Sequence, residues 1–226
     1  LSSAHFHGSS QLPAGASFSE IVNAYAEFKQ AGFTVDFISP AGGAVPLAYI
    51  DTSDPAQKAH LYNQDFMQAL KHTRTAAELN AADYRAVHYI GGSSAMYGVA
   101  EDSHIAKLVM DIYQQHQGII SAVCHGTAGI VRIKLSNGQY LLAGKKVTGY
   151  PEDYEDKTAA YFPHLPFAMR QTIEAHGGLF KAPDPEKPYI EVDGRLVTGQ
   201  NYPSAPLVDA AVIKILQQQQ QKTTTA

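Results

Sequence analysis

The run IISAVC, residues 119–124, constrains this chain more than any other stretch of it. Five apolar or small residues in succession leave no polar face for solvent. That suits a strand covered on both sides, and so a parallel sheet between layers of helices. CHGTAGI follows at once and reads as the opening of a helix. A residue at such a junction stands at the carboxyl end of the sheet, where open α/β sheets bind ligands. The residue there is Cys124, the only cysteine among 226 residues.

The flanking segments repeat the alternation of strand and helix. Ile21, Val22, Tyr25 and Phe28 lie on one face of a helix predicted over residues 17–31, with Gly32 placed to end it. FTVDFISP, 33–40, reads as a strand stopped by Pro40, and AGGAVP as a loop. A helix is expected near 63–71, then the strand YRAVHYIGG running into a glycine loop. Ser103 is the expected N-cap of a helix carrying Ile105, Leu108, Val109, Ile112 and Tyr113 on one face, closed by Gly118. KKVTGY, YIEV and RLVTG read as further strands, the last two forming a hairpin at Asp193-Gly194. Residues 204–216 form a closing helix, and 217–226, QQQQQKTTTA, a frayed low-complexity tail. With no internal repeat and no linker, the expectation is one α/β domain over 1–216. Its architecture is a three-layer sandwich around a mostly parallel, doubly wound (flavodoxin-like) sheet with a nucleophile elbow.

Composition narrows the functional classes. Hydrophobic content of 45% with 17% charged residues is ordinary for a globular core. A formal charge of −4 supplies no basic stripe for nucleic acid. No apolar run approaches the roughly 20 residues of a membrane span, and no signal-peptide pattern is present. One cysteine excludes an internal disulfide framework and leaves the redox compartment open, with the cytoplasm as the expected location.

Cys124 has two readings. One is a small buried hydrophobe. The other is a nucleophile at the apex of a strand-to-helix turn, its pKa drawn below the free value of about 8.5 by a helix N-terminus. His125 and Gly126, directly following, favour the nucleophile. In GGSSAMYG, Gly92 N–H could join His125 N–H as an oxyanion hole; the alternative is a plain turn. SFSE, 17–20, is a capping box with Glu20 reaching back to the first amide, and PEDYED a solvated acidic loop. His5 and His7 could clasp a metal only with a third ligand, and no other residues have ligand spacing. No metal or cofactor is expected.

AVCHGTAG resembles the nucleophile elbow of the ThiJ/PfpI superfamily, a cysteine branch of the class-I glutamine-amidotransferase-like fold. The resemblance extends, in the family's order, to SEIVNAYAEFKQAGFTVDFISPAGGAVPL, LLAGKKVTGYPEDYE, LPFAMRQTIEAHGGLF and VDGRLVTGQNYPSA. The insert after ISPAGG and the VTGQNYPSA ending are similar to the glyoxalase III and heat-shock-chaperone branch. The opening LSSAHFHG resembles the end of the family's first strand, the rest of which is then expected outside this chain. The resemblance implies that Glu20 points at the cysteine as a protonated carboxyl. It also implies that His125 pairs with an acid five residues beyond Tyr150, at Glu155, with Glu152 as the alternative register. Gly92, Ser93 and Gly126 are the implied oxyanion and substrate-binding positions, Ser93 standing where that branch has the histidine of GGHG. The implied function is a cofactor-independent cysteine enzyme acting on small reactive carbonyls such as methylglyoxal. Alternatives are a PfpI-type amidase or peptidase, and a stress chaperone or redox sensor with an oxidisable cysteine. A homodimer is implied too, with AYFPHLPF, 160–167, as interface or lid.

Overall fold

The computed structural model describes residues 1–224. In chain order its elements are β1 (Ala16–Ser17), α1 (Phe18–Gln30), β2 (Leu47–Ala48), α2 (Pro55–Leu61), α3 (Gln64–Lys71), β3 (Ala86–Tyr89), α4 (Ser103–Gln114), β4 (Ile119–Val123), β5 (Lys146–Val147), α5 (Met169–Ala175), β6 (Leu179–Phe180), β7 (Ile190–Asp193), β8 (Leu196–Gly199) and α6 (Ala205–Thr224). The main sheet runs β3-β4-β8-β7, with β3, β4 and β8 parallel and β7 antiparallel at one edge. β1 with β2 and β5 with β6 form separate parallel pairs.

Strand β4 is the axis of the molecule, and all five of its residues are buried. Its side chains alternate between two cores. Ile120 and Ala122 pack with Leu108, Val109 and Ile112 of α4. Ile119 packs with Ile21 and Val22 of α1 and with Val208 and Val212 of α6. Each buried isoleucine contributes roughly 1.5–3 kcal/mol relative to exposure, which is why the apolar run accepts no other place. The three layers expected from the sequence are therefore present, with α4 on one face and α1 and α6 on the other.

Several local expectations are corrected. Residues 33–40 form no ladder; Ile38 alone bridges Arg74. The physical reason is the absence of a neighbour. An apolar slot of about 570 Å³ separates this segment from β3, lined by Phe33, Val35 and Phe37 on one side and by Ala86, Val87 and His88 on the other. Leu1 lines one end of the slot, its backbone nitrogen donating to the Ile38 carbonyl at 3.0 Å. The cap of α4 is Asp102, whose Oδ1 accepts from Ile105 N at 2.8 Å, so Ser103 is already helical. That helix gives way at Gln115, ahead of Gly118. Helix α2, capped by Asp54, has no counterpart in the sequence reading. KKVTGY contributes only the two residues of β5; beyond it Thr148 N donates to the side-chain hydroxyl of Thr198 in β8 rather than to a backbone carbonyl. Helix α6 continues through the glutamine run to Thr224, where a frayed tail was expected; residues 225 and 226 lie outside the described residues. The β7–β8 hairpin at Asp193-Gly194 and the helices at 18–30 and 64–71 fall where expected. No described helix is long and apolar enough to cross a membrane.

Gly126 anchors the turn after β4 to β3. A Cβ there would lie 2.5 Å from Tyr89 O and 2.9 Å from the Ile90 carbonyl carbon, both backbone atoms that cannot swing aside. Gly126→Ala is expected to lower stability by about 1–3 kcal/mol, as overpacking of a well-filled interior does. A urea midpoint unchanged from the parent would show that the turn has slack.

Candidate active site

The backbone itself prepares Cys124. Leaving β4, the chain turns into 3₁₀ geometry over Cys124–Ile130, and Cys124 adopts a left-handed φ of 57°. A non-glycine residue in that region is held at a cost of about 1–3 kcal/mol. The turn is secured by Tyr150 N donating to Cys124 O at 3.3 Å. Held so, the thiol is buried, 9% exposed, on the floor of a cavity of about 670 Å³ shared with Glu20, Gly92, His125 and Tyr150.

His125 joins the thiol to an acid. Its Nδ1 lies 3.6 Å from Cys124 Sγ, and its Nε2 meets Glu155 Oε1. Glu155 is the acid; Glu152 is occupied elsewhere, accepting from Arg170 N and Gln171 N at the start of α5. The imidazole also packs against the Tyr150 ring, 4.5 Å between centroids. Burial works to raise the Glu155 carboxyl, but hydrogen bonds from His125 and Tyr161 outweigh it and hold the group below the ordinary carboxylate range.

Glu20 enters the same cavity from α1. The expected capping box is half formed: the Ser17 hydroxyl accepts from Glu20 N at 3.4 Å, but Glu20 does not reach back. Ser17 N instead donates to Gly91 O, and Gly91 N donates to Glu20 Oε1 at 3.3 Å. The carboxyl is thereby carried inward to the thiol and is 3% exposed. Burial lifts it to about 8, so it carries its proton at neutral pH.

The thiol itself departs from the sequence expectation. Burial pushes Cys124 well above the ordinary thiol range, with repulsion from ionised Glu20 and Glu155 adding to it; the amides of His125 and Gly92, both directed at the sulfur, work in the opposite direction. A helix N-terminus was expected to draw the thiol down, but a tight 3₁₀ turn in a buried setting does not outweigh desolvation. Glu20 and Cys124 thus form a coupled pair that resists carrying two negative charges.

The remaining predicted positions divide. Gly92 lines the cavity and offers its amide to the sulfur. Ser93 does not line it: its hydroxyl lies 3.0 Å from Gly15 N, which donates to it. Gly126 is a packing glycine against β3. His7 is buried and engaged, with Nδ1 3.1 Å from the Tyr97 hydroxyl. Among the described residues no three His, Cys, Asp or Glu side chains gather as a metal-binding group.

Tyr161 was not foreseen as a site residue. Its hydroxyl donates to Glu155 Oε2 at 2.7 Å, so the acid is gripped on both oxygens, and its ring stacks on His7 at 5.1 Å. Within AYFPHLPF, Leu165 and Phe167 are partly buried and pack against the α4-side core. Tyr161 stands six positions after Glu155, a spacing with no periodicity to betray the contact.

Two variants test this arrangement. Glu20→Gln removes the carboxylate charge that opposes the thiolate, so the pH profile of iodoacetamide alkylation is expected to move to lower pH. An unmoved profile would mean that the two groups titrate independently. Tyr161→Phe takes away one of the donors that depress Glu155. If turnover requires the ionised acid, activity is lost as pH falls through the Glu155 pKa. The variant's acid limb then shifts to higher pH, with kcat reduced about tenfold, the scale of one hydrogen bond to a charged group. An acid limb in the parent's position would detach Tyr161 from Glu155's task.

Comparison with known proteins agrees with the geometry. Residues 12–215 match the DJ-1/PfpI family. The chain is 26% identical over 217 residues to the glutathione-independent glyoxalase hsp3102 of Schizosaccharomyces pombe, covering 89% of each chain. It is 30% identical over 197 residues to a probable glutathione-independent glyoxalase, HSP32, of Saccharomyces cerevisiae, covering 80% of this chain and 81% of that one. Among solved structures it superposes on a 24 kDa rapid encystment protein of Francisella tularensis with a TM-score of 0.88 at 25% identity, covering 94% and 95% of the two chains. A strained cysteine at the end of a buried parallel strand, a histidine beside it and a family match across nine-tenths of the length lead to one assignment: this chain belongs to the DJ-1/PfpI family.

Proposed function

We propose that this protein is a glutathione-independent glyoxalase, converting small α-oxoaldehydes such as methylglyoxal to α-hydroxy acids. The observation that carries the reading is the placement of His125 between Cys124 Sγ and Glu155, in a cavity that also holds the protonated Glu20 carboxyl. The two relatives named as glyoxalases support it.

Each group has work that suits its surroundings. Cys124 adds through sulfur to the aldehyde carbon C1, giving a hemithioacetal whose oxygen faces the amides of Gly92 and His125. A proton then leaves C1 and one is delivered to C2, with Glu20 or His125 as carrier. Glu20, poised at about 8, can hold or release a proton near neutrality. The product on the enzyme is an α-hydroxy thioester. Water cleaves the C1–S bond, releasing the hydroxy acid and restoring the thiol, so no external oxidant or reductant enters. Glu155 fixes the imidazole tautomer that serves Cys124, with Nε2–H directed at the acid and Nδ1 toward sulfur. A homodimer belongs to the same reading and rests on the family resemblance.

An amidase or peptidase role would need a groove through which a chain could pass. A thiol that is 9% exposed at the base of a cavity suits a small molecule entering end-on.

With methylglyoxal and no glutathione, the protein is expected to produce lactate. Cys124→Ala should reduce the rate by about a thousandfold or more, as nucleophile deletions do. Absence of lactate from folded protein with an intact thiol would end the glyoxalase reading.

A further inference from the structure

The cavity above Cys124 is far larger than methylglyoxal requires. Its volume of about 670 Å³ falls within the range of roughly 300–1,000 Å³ that holds a drug-sized ligand. A dicarbonyl of five heavy atoms displaces only a few waters, on the order of 100 Å³ at about 30 Å³ each. The excess space has a definite chemistry. Part of the wall is aromatic and apolar, built by Tyr49, Tyr202, Pro203 and Pro206. Tyr202 and Tyr49 are 68% and 64% exposed, so both rings reach solvent, while the Tyr49 hydroxyl turns inward to a hydrogen bond with Ser93, near Cys124, Glu155 and Glu20. Tyr49 is also held at a left-handed φ of 57°, a conformation that an aromatic residue adopts only where its surroundings impose it. With Glu20 protonated, the carboxylates of the lining are Asp51 and Asp54, and no lysine or arginine accompanies them.

Resting on the glyoxalase reading, we propose that the preferred substrate is an α-oxoaldehyde whose ketone carries a bulky, uncharged aromatic or apolar substituent, seated on the Tyr49–Tyr202 wall. The covalent chemistry at C1 and C2 is unchanged; the substituent takes no part in it. What the wall contributes is binding, because stacking a ring on exposed tyrosines removes apolar surface of both partners from water. The acids act as a filter. A substituent bearing a carboxylate would enter a cavity of like charge with no cation to receive it.

The test compares methylglyoxal, phenylglyoxal and 4-carboxyphenylglyoxal by steady-state kinetics, with the hydroxy acids quantified chromatographically and the Cys124→Ser rate subtracted. Phenylglyoxal is expected to show kcat/KM about tenfold or more above methylglyoxal, chiefly through KM, a modest demand for a hydrophobic pocket where one methylene gives about tenfold or more. The 4-carboxy compound should fall about tenfold below phenylglyoxal. The double variant Asp51→Asn/Asp54→Asn, which keeps a competent cap on α2, should narrow that gap. Tyr202→Ala, at an exposed position, should lower the phenylglyoxal-to-methylglyoxal ratio about fivefold or more, which separates binding at the wall from differences in intrinsic electrophilicity. Lactate formation with no preference for phenylglyoxal, or a preference untouched by Tyr202→Ala, overturns this proposal and leaves the glyoxalase reading standing. Failure with all three aldehydes overturns the glyoxalase reading and this proposal with it.

Discussion

The arrangement of the site depends on one close approach. At Gly91 the chain passes between Glu20 and Cys124 with no room for a side chain: a Cβ there would lie 2.8 Å from Glu20 Oε1 and 3.0 Å from Cys124 Cβ. Because the backbone can pass through that gap, α1, the loop after β3 and the turn after β4 converge on one point. Gly91 N then donates to the carboxyl and Gly91 O accepts from Ser17 N, so the residue that permits the approach also fastens it. Any substituent at 91 would push the acid and the thiol apart.

That convergence sets the electrostatics. Two acidic groups are buried side by side where water cannot screen them, and a third, Glu155, stands beyond His125. Their fates diverge according to their partners. Glu155 receives donors on both oxygens and stays ionised, whereas Glu20 receives little beyond one backbone amide and the Ser17 contact and keeps its proton. Environments that drive like groups apart in this way allow one site to hold a proton donor and a fixed anion at the same pH.

The legibility of this design in the sequence follows physical lines. Strand β4 and its turn were plain, because a run apolar on both faces has few places to go. The hairpin at Asp193-Gly194 was equally plain from its turn chemistry. Segment 33–40 has strand composition yet makes no ladder, since pairing depends on a neighbour that no local pattern reveals. Asp102 and Ser103 are adjacent candidates for one cap, and the carboxylate takes it. Glu20 stood in a motif that usually faces solvent, and its inward turn depends on Gly91, 71 residues away. Tyr161 carried no signal at all. The thiol's direction was misread because dipole reasoning assumes a regular helix and some solvent, and Cys124 has neither.

The cavity's walls and floor come from different parts of the chain. Cys124, on the floor, is locked in place by the backbone bond from Tyr150 N and by the close approaches that Gly91 and Gly126 permit around it. Much of the rim comes from segments 49–57 and 202–206, where side chains such as Tyr202 face solvent and have little to hold them to one identity. A change at Tyr202 or its proline neighbours would reshape the entrance while leaving untouched the bonds that hold Cys124, Glu20 and His125, so the two parts of the cavity can be altered independently.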